Sequence, residues 1–318
     1  MDLTFNHAFD LVTRSGIRRF TEMVRSIPGS VLLTIGEPDL DTPEAVRAAA
    51  KAALDAGDTH YPPNNGRPAL LEAISEFEAR KNGLHYAPDE IILTIGATEG
   101  LFISLFSLLN PGDEVIIPTP AFSLYESITQ LCRGTPVPLP TEEHGFQIDP
   151  AALRAAITPR TRALVLTSPN NPTGCIYSRE TLQAVHDVLK NLPIFVICDE
   201  VYRQLVYTED FTSFSAFSDM RDRIIVVQSY SKPYAMTGWR LGYVMADRPV
   251  HDKMQIAHQY AVVSAPAFVQ TACAEALRYN TSADRTLFRR RRDYVYGRLT
   301  AMGLEVQKPD GAFYMFIS

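Results

Sequence analysis

Residues 194–202 read IFVICDEVY, an apolar run that passes directly into two carboxylates and a tyrosine. Strands that are buried on both faces of a sheet are almost continuously apolar, whereas half-exposed strands alternate. The stretch therefore predicts a buried strand over Ile194–Ile197, with Asp199 just beyond its carboxyl end. Ligands of parallel sheets bind at that end. Asp199 is thus a candidate site residue, although from this motif alone it could equally cap a following helix.

Five more short apolar runs predict further strands of the same buried kind. They lie at Ile91–Ile95, Val115–Ile117, Ala163–Leu166, Ile224–Val227 and Leu241–Met245. Segments with helical periodicity separate most of them, and strands that alternate with helices indicate a mostly parallel α/β sheet.

Helix signals punctuate the chain between these runs. Thr42 is a predicted N-cap, with Pro43 at the first helical position and Gly57 at the end. Ser178 is a second predicted cap, for a helix that runs to Asn191. Further helices are expected over 66–83, 98–109 and 250–302. The run Gly311–Phe316 then predicts a strand that begins a second, smaller domain.

Composition narrows the class of protein. A chain of 318 residues exceeds what one small core organises, and its net charge of −6 disfavours nucleic acid or an anionic membrane as the main partner. No apolar run reaches membrane-spanning length, and the four cysteines have no CxxC spacing. A reducing compartment, hence the cytoplasm, is the expected location, and no metal site is predicted. The basic run Arg289–Arg292 is interpreted as a solvated helix face.

Polar residues follow several of the predicted strands. Ser229-Tyr230-Ser231-Lys232 places a lysine beyond one strand end, and Asn171 lies in a proline-rich loop beyond another. A lone lysine is usually a surface residue, so its neighbours carry the argument. Asp199 beside it could pair with a protonated pyridine nitrogen, and Gly96-Ala97-Thr98 at a helix N-terminus could receive a phosphate that Arg240 neutralises.

These motifs together resemble the class I/II pyridoxal-phosphate-dependent aminotransferases of fold type I. The similarity runs through the whole chain, in the family's order: Gly36-Glu37-Pro38-Asp39, Tyr61-Pro62-Pro63-Asn64-Asn65-Gly66, Gly96-Ala97-Thr98, Asn170-Asn171-Pro172-Thr173-Gly174, Asp199-Glu200-Val201-Tyr202, Ser229-Tyr230-Ser231-Lys232, Met236-Thr237-Gly238-Trp239-Arg240-Leu241-Gly242-Tyr243 and Gly311-Ala312-Phe313-Tyr314.

The resemblance implies catalytic roles for three residues. Lys232 is expected to form the internal aldimine with pyridoxal 5'-phosphate and to move the substrate proton. Asp199 is expected to pair with the pyridine nitrogen, while Tyr202, together with Asn171, bonds the phenolate oxygen. A desolvated lysine is partly neutral at physiological pH, which agrees with these roles.

The remaining expected contacts surround the cofactor and the substrate. Phosphate is assigned to Gly96, Ala97, Thr98, Ser229 and Arg240, ring stacking to Phe122, and substrate contact to Gly36, Phe122 and Asn171. Tyr61 resembles the tyrosine that reaches the phosphate of a neighbouring subunit, which implies a homodimer.

The resemblance also implies a fold. It is an α/β three-layer sandwich around a mostly parallel seven-stranded sheet, with an incomplete small α/β domain. The expected division is an N-terminal segment of the small domain (1–40), a large cofactor-binding domain (41–248), and an interdomain helix with a truncated small domain (249–318).

The expected reaction is the ping-pong transfer of an amino group from an L-amino acid to a 2-oxo acid, in amino-acid biosynthesis. Ser15-Gly16-Ile17-Arg18-Arg19-Phe20, His144-Gly145-Phe146 and Lys308-Pro309-Asp310-Gly311 are similar to acyl-diaminopimelate aminotransferases, and aspartate-type enzymes remain close. Family members continue past the Gly-Ala-Phe-Tyr motif to an arginine that binds the substrate carboxylate. Weak or absent turnover is therefore expected of a chain that ends at Ser318.

Two alternatives stay open from the sequence. A pyridoxal-phosphate C–S β-lyase shares the fold, the lysine and the aspartate, and it differs only in its products. A non-catalytic domain that senses the cofactor or amino acids is disfavoured because no DNA-binding segment precedes it.

Overall fold

The fold is built on a single seven-stranded sheet. The computed structural model describes residues 3–14, 16–33, 35–209 and 211–317, so Ser15, the first residue of one quoted motif, lies outside it. The described strands are β1 (Ile91–Thr94), β2 (Glu114–Thr119), β3 (Thr135–Pro140), β4 (Thr161–Thr167), β5 (Phe195–Asp199), β6 (Ile224–Ser229) and β7 (Gly242–Ala246).

Strand order confirms the prediction of a mostly parallel sheet. The order is β1-β7-β6-β5-β4-β2-β3. Only β7 runs against its neighbours, β1 and β6, while the other described pairs are parallel. Reversing direction twice leaves β1 parallel to β6. The carboxyl ends of β1, β2, β4, β5 and β6 therefore share one edge of the molecule.

Ten α-helices are described in addition to short 3-10 turns. They are α1 (Gly16–Arg25), α2 (Glu44–Asp55), α3 (Pro68–Asn82), α4 (Gly96–Leu108), α5 (Leu124–Leu131), α6 (Pro150–Ala156), α7 (Arg179–Leu189), α8 (Arg248–Ala261), α9 (Ala267–Ala276) and α10 (Ser282–Ala301).

Two apolar layers sandwich the sheet, because alternate strand residues point to opposite faces. In β5, Val196 and Cys198 join the layer that α3 and α7 build, while Ile197 joins the layer of α4, α5 and α8. This arrangement confirms the predicted three-layer α/β sandwich. The proposed domain boundaries near residues 40 and 248 stay a prediction.

One strand was missed and two local predictions were wrong, each for a physical reason. Strand β3 reads TPVPLP, and its three prolines conceal it from a propensity argument. Helix α2 begins one residue later than predicted, with Pro43 as its N-cap, because the Thr42 hydroxyl donates instead to the Ala235 carbonyl at 2.7 Å. The run Gly311–Phe316 forms only an isolated bridge to Val206 at Gly311, and the positive φ of Ala312 (57°) breaks the extended backbone.

Other predictions were confirmed. The Ser178 hydroxyl accepts from the Thr181 N–H at 3.1 Å and so caps α7. The predicted helical region 250–302 contains α8, α9 and α10. The run Arg289–Arg292 lies on α10 but is only partly a solvated face, since Arg291 pairs with Asp39 and Arg292 stacks on Tyr207. Within the described part of the chain, no helix combines the length and apolar character needed to cross a membrane.

Candidate active site

The predicted site residues gather at the shared edge of the sheet. Asp199 and Ser229 are the last residues of β5 and β6, and Gly96 follows β1 by two residues. Asn171 and Phe122 lie in the segments that follow β4 and β2. The sheet order therefore brings together residues as distant in the sequence as Gly96 and Lys232, which are 136 positions apart.

Lys232 lies half-buried among aromatic rings. Its Nζ donates a hydrogen bond to the Gly36 carbonyl. The same Nζ is 5.8 Å from the ring centroid of Tyr202 and 5.7 Å from that of Phe313. The amine thus points away from bulk water and into the space between the sheet edge and the C-terminal segment.

Burial lowers the pKa of Lys232 to about 8. The negative charge of Glu37 opposes this shift, Arg240 adds to it, and Asp199 opposes it. Because the charged ammonium is the form that burial disfavours, the side chain loses its proton far more readily than an exposed lysine. A neutral amine is the form that can attack a carbonyl or accept a proton.

Asp199 is a buried carboxylate that is held by neutral donors. Its Oδ2 accepts from the Tyr125 hydroxyl at 2.8 Å, and its Oδ1 accepts from the Val201 N–H at 3.3 Å. Burial raises the pKa of Asp199 to about 6, although these two hydrogen bonds lower it. Among the described residues, no cationic side chain forms an ion pair with it. A carboxylate in this state favours a cationic ligand.

Tyr202 and Asn171 differ in how firmly they are held. The Tyr202 hydroxyl shares a hydrogen bond of 2.5 Å with the Tyr314 hydroxyl. Asn171 is half-buried, and its side-chain amide has no hydrogen-bond partner among the described residues. Its neighbour Asn170 instead fixes the loop by accepting from the Thr173 N–H at 3.0 Å.

The turn before α4 forms a cradle that requires glycine. Gly96 has φ 70°, and a Cβ there would lie 2.6 Å from Nη2 of Arg240. Arg240 is exposed, has φ 56°, and donates to the Thr237 carbonyl at 3.0 Å. Thr98 is exposed in the first helical turn, and Ala97 is half-buried. Unpaired N–H groups at a helix start, with a guanidinium beside them, suit an anion.

Ser229 and Phe122 are engaged mainly with their own surroundings. The Ser229 hydroxyl is buried, accepts from the Ser231 N–H at 3.1 Å and donates to the Leu241 carbonyl at 3.4 Å. Phe122 is half-buried and packs edge-on against Tyr125, with ring centroids 6.1 Å apart.

Gly36 approaches the site so closely that only glycine fits. A Cβ on this residue would overlap the hydroxyl of Tyr314. Tyr61, in contrast, is 88% exposed and points away from its own core. Its predicted reach into a neighbouring subunit stays a prediction.

Sequence reasoning missed two tyrosines of the site. Tyr125 donates to Asp199 and itself accepts from the Thr167 hydroxyl at 2.8 Å. In the sequence, only its position three residues after Phe122 connects Tyr125 with the site. Tyr314 belongs to the Gly-Ala-Phe-Tyr motif, but no spacing rule links it to Tyr202.

Comparisons with known proteins identify the family. The model of "Aminotransferase class I and II" matches residues 28–318. A probable N-acetyl-LL-diaminopimelate aminotransferase of Bacillus subtilis (strain 168) is 40% identical over 309 residues, covering 96% of this chain and 78% of the relative. The aspartate aminotransferase of Pyrococcus abyssi is 39% identical over 322 residues, covering 99% and 83%.

Solved structures show the same fold. The aspartate aminotransferase from Thermus thermophilus with maleate superposes with a TM-score of 0.94 at 36% identity, covering 99% of this chain and 85% of that one. The aspartate aminotransferase from Rhizobium meliloti gives 0.95 at 36% identity, covering 100% and 82%. The fold is therefore fold type I.

The cofactor of this family, pyridoxal phosphate, fits the residues present. Lys232 offers an amine whose pKa is lowered, and the buried Asp199 lacks the cation that a pyridinium would supply. The Gly96 turn leaves room that a Cβ would fill. The sequence match, the superposed fold and this agreement together show that the chain belongs to the class I and II aminotransferases, enzymes that use pyridoxal phosphate to transfer amino groups.

Proposed function

We propose that this aminotransferase moves the amino group of an acidic L-amino acid, of the aspartate or acyl-diaminopimelate type, to a 2-oxo acid in a ping-pong reaction that depends on Lys232. The names of the relatives support this substrate class. Aspartate and N-acetyl-LL-diaminopimelate share an α-amino carboxylate and a second carboxylate farther along the molecule. The observation that carries the role of Lys232 is its half-buried amine, with a pKa of about 8, near the rings of Tyr202 and Phe313.

Pyridoxal phosphate, when bound, supplies an electron sink and carries the amino group from one substrate to the other. Lys232 takes the proton from the substrate α-carbon at its Nζ and returns it later, which is general base and acid catalysis. The lowered pKa suits this task, because the same group must both accept and release a proton near neutral pH.

Asp199 would hold the protonated ring nitrogen, with Tyr125 fixing one carboxylate oxygen at 2.8 Å. Tyr202 and Asn171 would donate to the phenolate oxygen. The phosphate would be held by the N–H groups of Gly96 and Ala97, by Thr98 and Arg240, and by the Ser229 hydroxyl once it turns from the Leu241 carbonyl. Phe122 would stack on the ring, and Gly36 would border the substrate.

We also propose a homodimer in which Tyr61 completes the phosphate site of the partner subunit. Tyr61 is 88% exposed, although the backbone of its segment is fixed by a bond of 2.9 Å from the Leu93 N–H to the Asn65 carbonyl. Large apolar side chains near the N-terminus are also exposed, among them Phe5 (80%) and Leu33 (89%). Apolar surface of this extent is typical of an interface.

Lys232→Ala tests the proposal in the full chain. Borohydride reduction of the protein with pyridoxal phosphate, followed by peptide mass analysis, should find the cofactor on Lys232. The variant should lose the attachment and any turnover with aspartate and 2-oxoglutarate that the unmodified chain shows. Lys253→Ala, on the exposed side of α8, is the matched control and should keep both. Attachment at another lysine, or unchanged turnover in Lys232→Ala, contradicts the proposal.

A further inference from the structure

A completely buried histidine lies directly behind the proposed phosphate site. His258, on α8, is 0% exposed. Its Nδ1 is 2.7 Å from a carboxylate oxygen of Glu99, and its Nε2 is 2.8 Å from the backbone carbonyl of Asn64. Both ring nitrogens thus face oxygen acceptors. An imidazole between a carboxylate and a carbonyl donates to both when both of its nitrogens carry protons, and the ring is then a cation.

Glu99 connects this histidine to the cradle. It lies in the first turn of α4, directly after Thr98, and its second carboxylate oxygen accepts from the Ile95 N–H. Glu99 thereby pairs with the Ile95 N–H, and the N–H groups of the residues that follow Ile95 can bind a ligand. Its negative charge, however, lies within one helical turn of the place where a phosphate would bind, and like charges repel.

Asn64 connects the same histidine to the segment that carries Tyr61. The Asn64 carbonyl accepts from His258, and its side-chain amide donates to the Val263 carbonyl just beyond α8. One buried side chain therefore joins three parts of the molecule: α8, the phosphate-binding turn and residues 61–66.

We propose that His258 is a positioning residue that carries a positive charge, neutralises Glu99 behind the phosphate site and anchors the segment of Tyr61. The inference rests on the proposed phosphate site at Gly96–Thr98. Neither His258 nor Glu99 would touch the cofactor. The pair would act by removing the repulsion that a lone Glu99 carboxylate would exert on the phosphate.

The test compares two ligands, pyridoxal phosphate and pyridoxal, which lacks the phosphate. Binding to the apo full chain is followed by visible absorbance. His258→Gln should weaken the binding of pyridoxal phosphate about tenfold and leave the binding of pyridoxal unchanged, because the uncompensated charge of Glu99 acts on the phosphate alone. Glu99→Gln should not weaken the binding of pyridoxal phosphate. The double variant His258→Gln/Glu99→Gln should recover most of the affinity that His258→Gln loses.

His251→Gln is the matched control. His251 is also buried on α8, at 2% exposure, but its Nδ1 pairs with Asp252 and does not face the cradle. It should bind both ligands like the unmodified protein. A purely structural role for His258 predicts equal losses for the two ligands, or equal losses in His258→Gln and Glu99→Gln, and either result overturns the inference.

The outcomes separate this inference from the proposed function. If the unmodified chain binds pyridoxal as tightly as pyridoxal phosphate, the phosphate site itself is wrong. A measurement on the unmodified protein avoids any folding defect of the variants: ring-¹⁵N-histidine NMR should reveal an imidazole whose two N–H protons both exchange slowly. Absence of such a ring contradicts the positive charge of His258.

Discussion

At the scale of single residues, the environment of Lys232 explains why it can act as a base. Glu37 and Asp199 raise the pKa of Lys232 and Arg240 lowers it, while burial, which also lowers the pKa, has the largest effect. The sequence predicted Lys232 and Asp199 because each follows an apolar strand within a recognisable motif. It did not predict the hydrogen bond of Lys232 to Gly36, since 196 positions separate the two and only the closed fold brings them together.

The lowered pKa of Lys232 predicts how cofactor attachment depends on pH. Attachment needs the neutral amine, so its rate should rise about tenfold per pH unit below pH 8 and level off above it. An unshifted lysine would continue to rise to about pH 10. Stopped-flow absorbance of apo protein mixed with pyridoxal phosphate measures the profile.

Glu37→Gln provides the check on this profile. The charge of Glu37 raises the pKa of Lys232, so its removal should move the midpoint to lower pH. A profile that still rises at pH 10 would show that burial does not lower the pKa of this amine, and a midpoint that moves upward in Glu37→Gln would show that the charge of Glu37 does not raise it.

At the scale of elements, the prediction succeeded where one local rule decides the structure. Apolar runs predicted six of the seven strands, because a strand that is buried on both faces consists almost entirely of apolar residues. It failed at β3 and at Gly311–Phe316, where distant contacts decide. Gly311 packs against Pro169, and a Cβ there would lie 2.5 Å from the proline ring. No local pattern encodes that contact.

The cap of α7 offers a stability test of a local rule. The Ser178 hydroxyl satisfies the Thr181 N–H, which otherwise lacks a partner at the helix start. Ser178→Ala should lower the free energy of unfolding by about 1 kcal/mol, measured by equilibrium urea denaturation. Ser178→Asp keeps an oxygen acceptor at the cap and should retain most of that free energy. Equal losses in both variants would show that the hydroxyl is needed for another contact.

At the scale of the whole molecule, the proposed site is larger than one chain. The sheet order brings Lys232, Asp199 and the Gly96 turn to one edge. The alternation of strands and helices predicted the parallel sheet, whereas the grouping of these residues into one site was expected from the resemblance to the family. The proposed contribution of Tyr61 needs a second subunit, and it stays a prediction.

Mixing two variants, each of which lacks one part of the proposed shared site, tests the homodimer. Tyr61→Ala lacks the residue that is donated, and Lys232→Ala lacks the residue that receives the cofactor. If subunits exchange, each mixed dimer has one intact site, so the mixture should regain about a quarter of the unmodified turnover. Each variant alone is the control. A mixture that is no more active than the average of its components would place Tyr61 outside the partner's site.

The three prolines of β3 have a consequence for the open margins of the sheet. Thr135 and Thr141 direct their N–H groups to the side of β2. Thr135 donates to the Asp113 carbonyl just before β2 at 2.8 Å, and Thr141 donates to the Thr119 carbonyl at its end at 3.0 Å. Pro136, Pro138 and Pro140 have the opposite parity, so the outward margin of this strand carries no N–H at those positions. An incoming strand finds no donors there. At the other margin, the Asn65 carbonyl already covers the Leu93 N–H. The protein is thereby protected against edge-to-edge aggregation at both ends of its sheet.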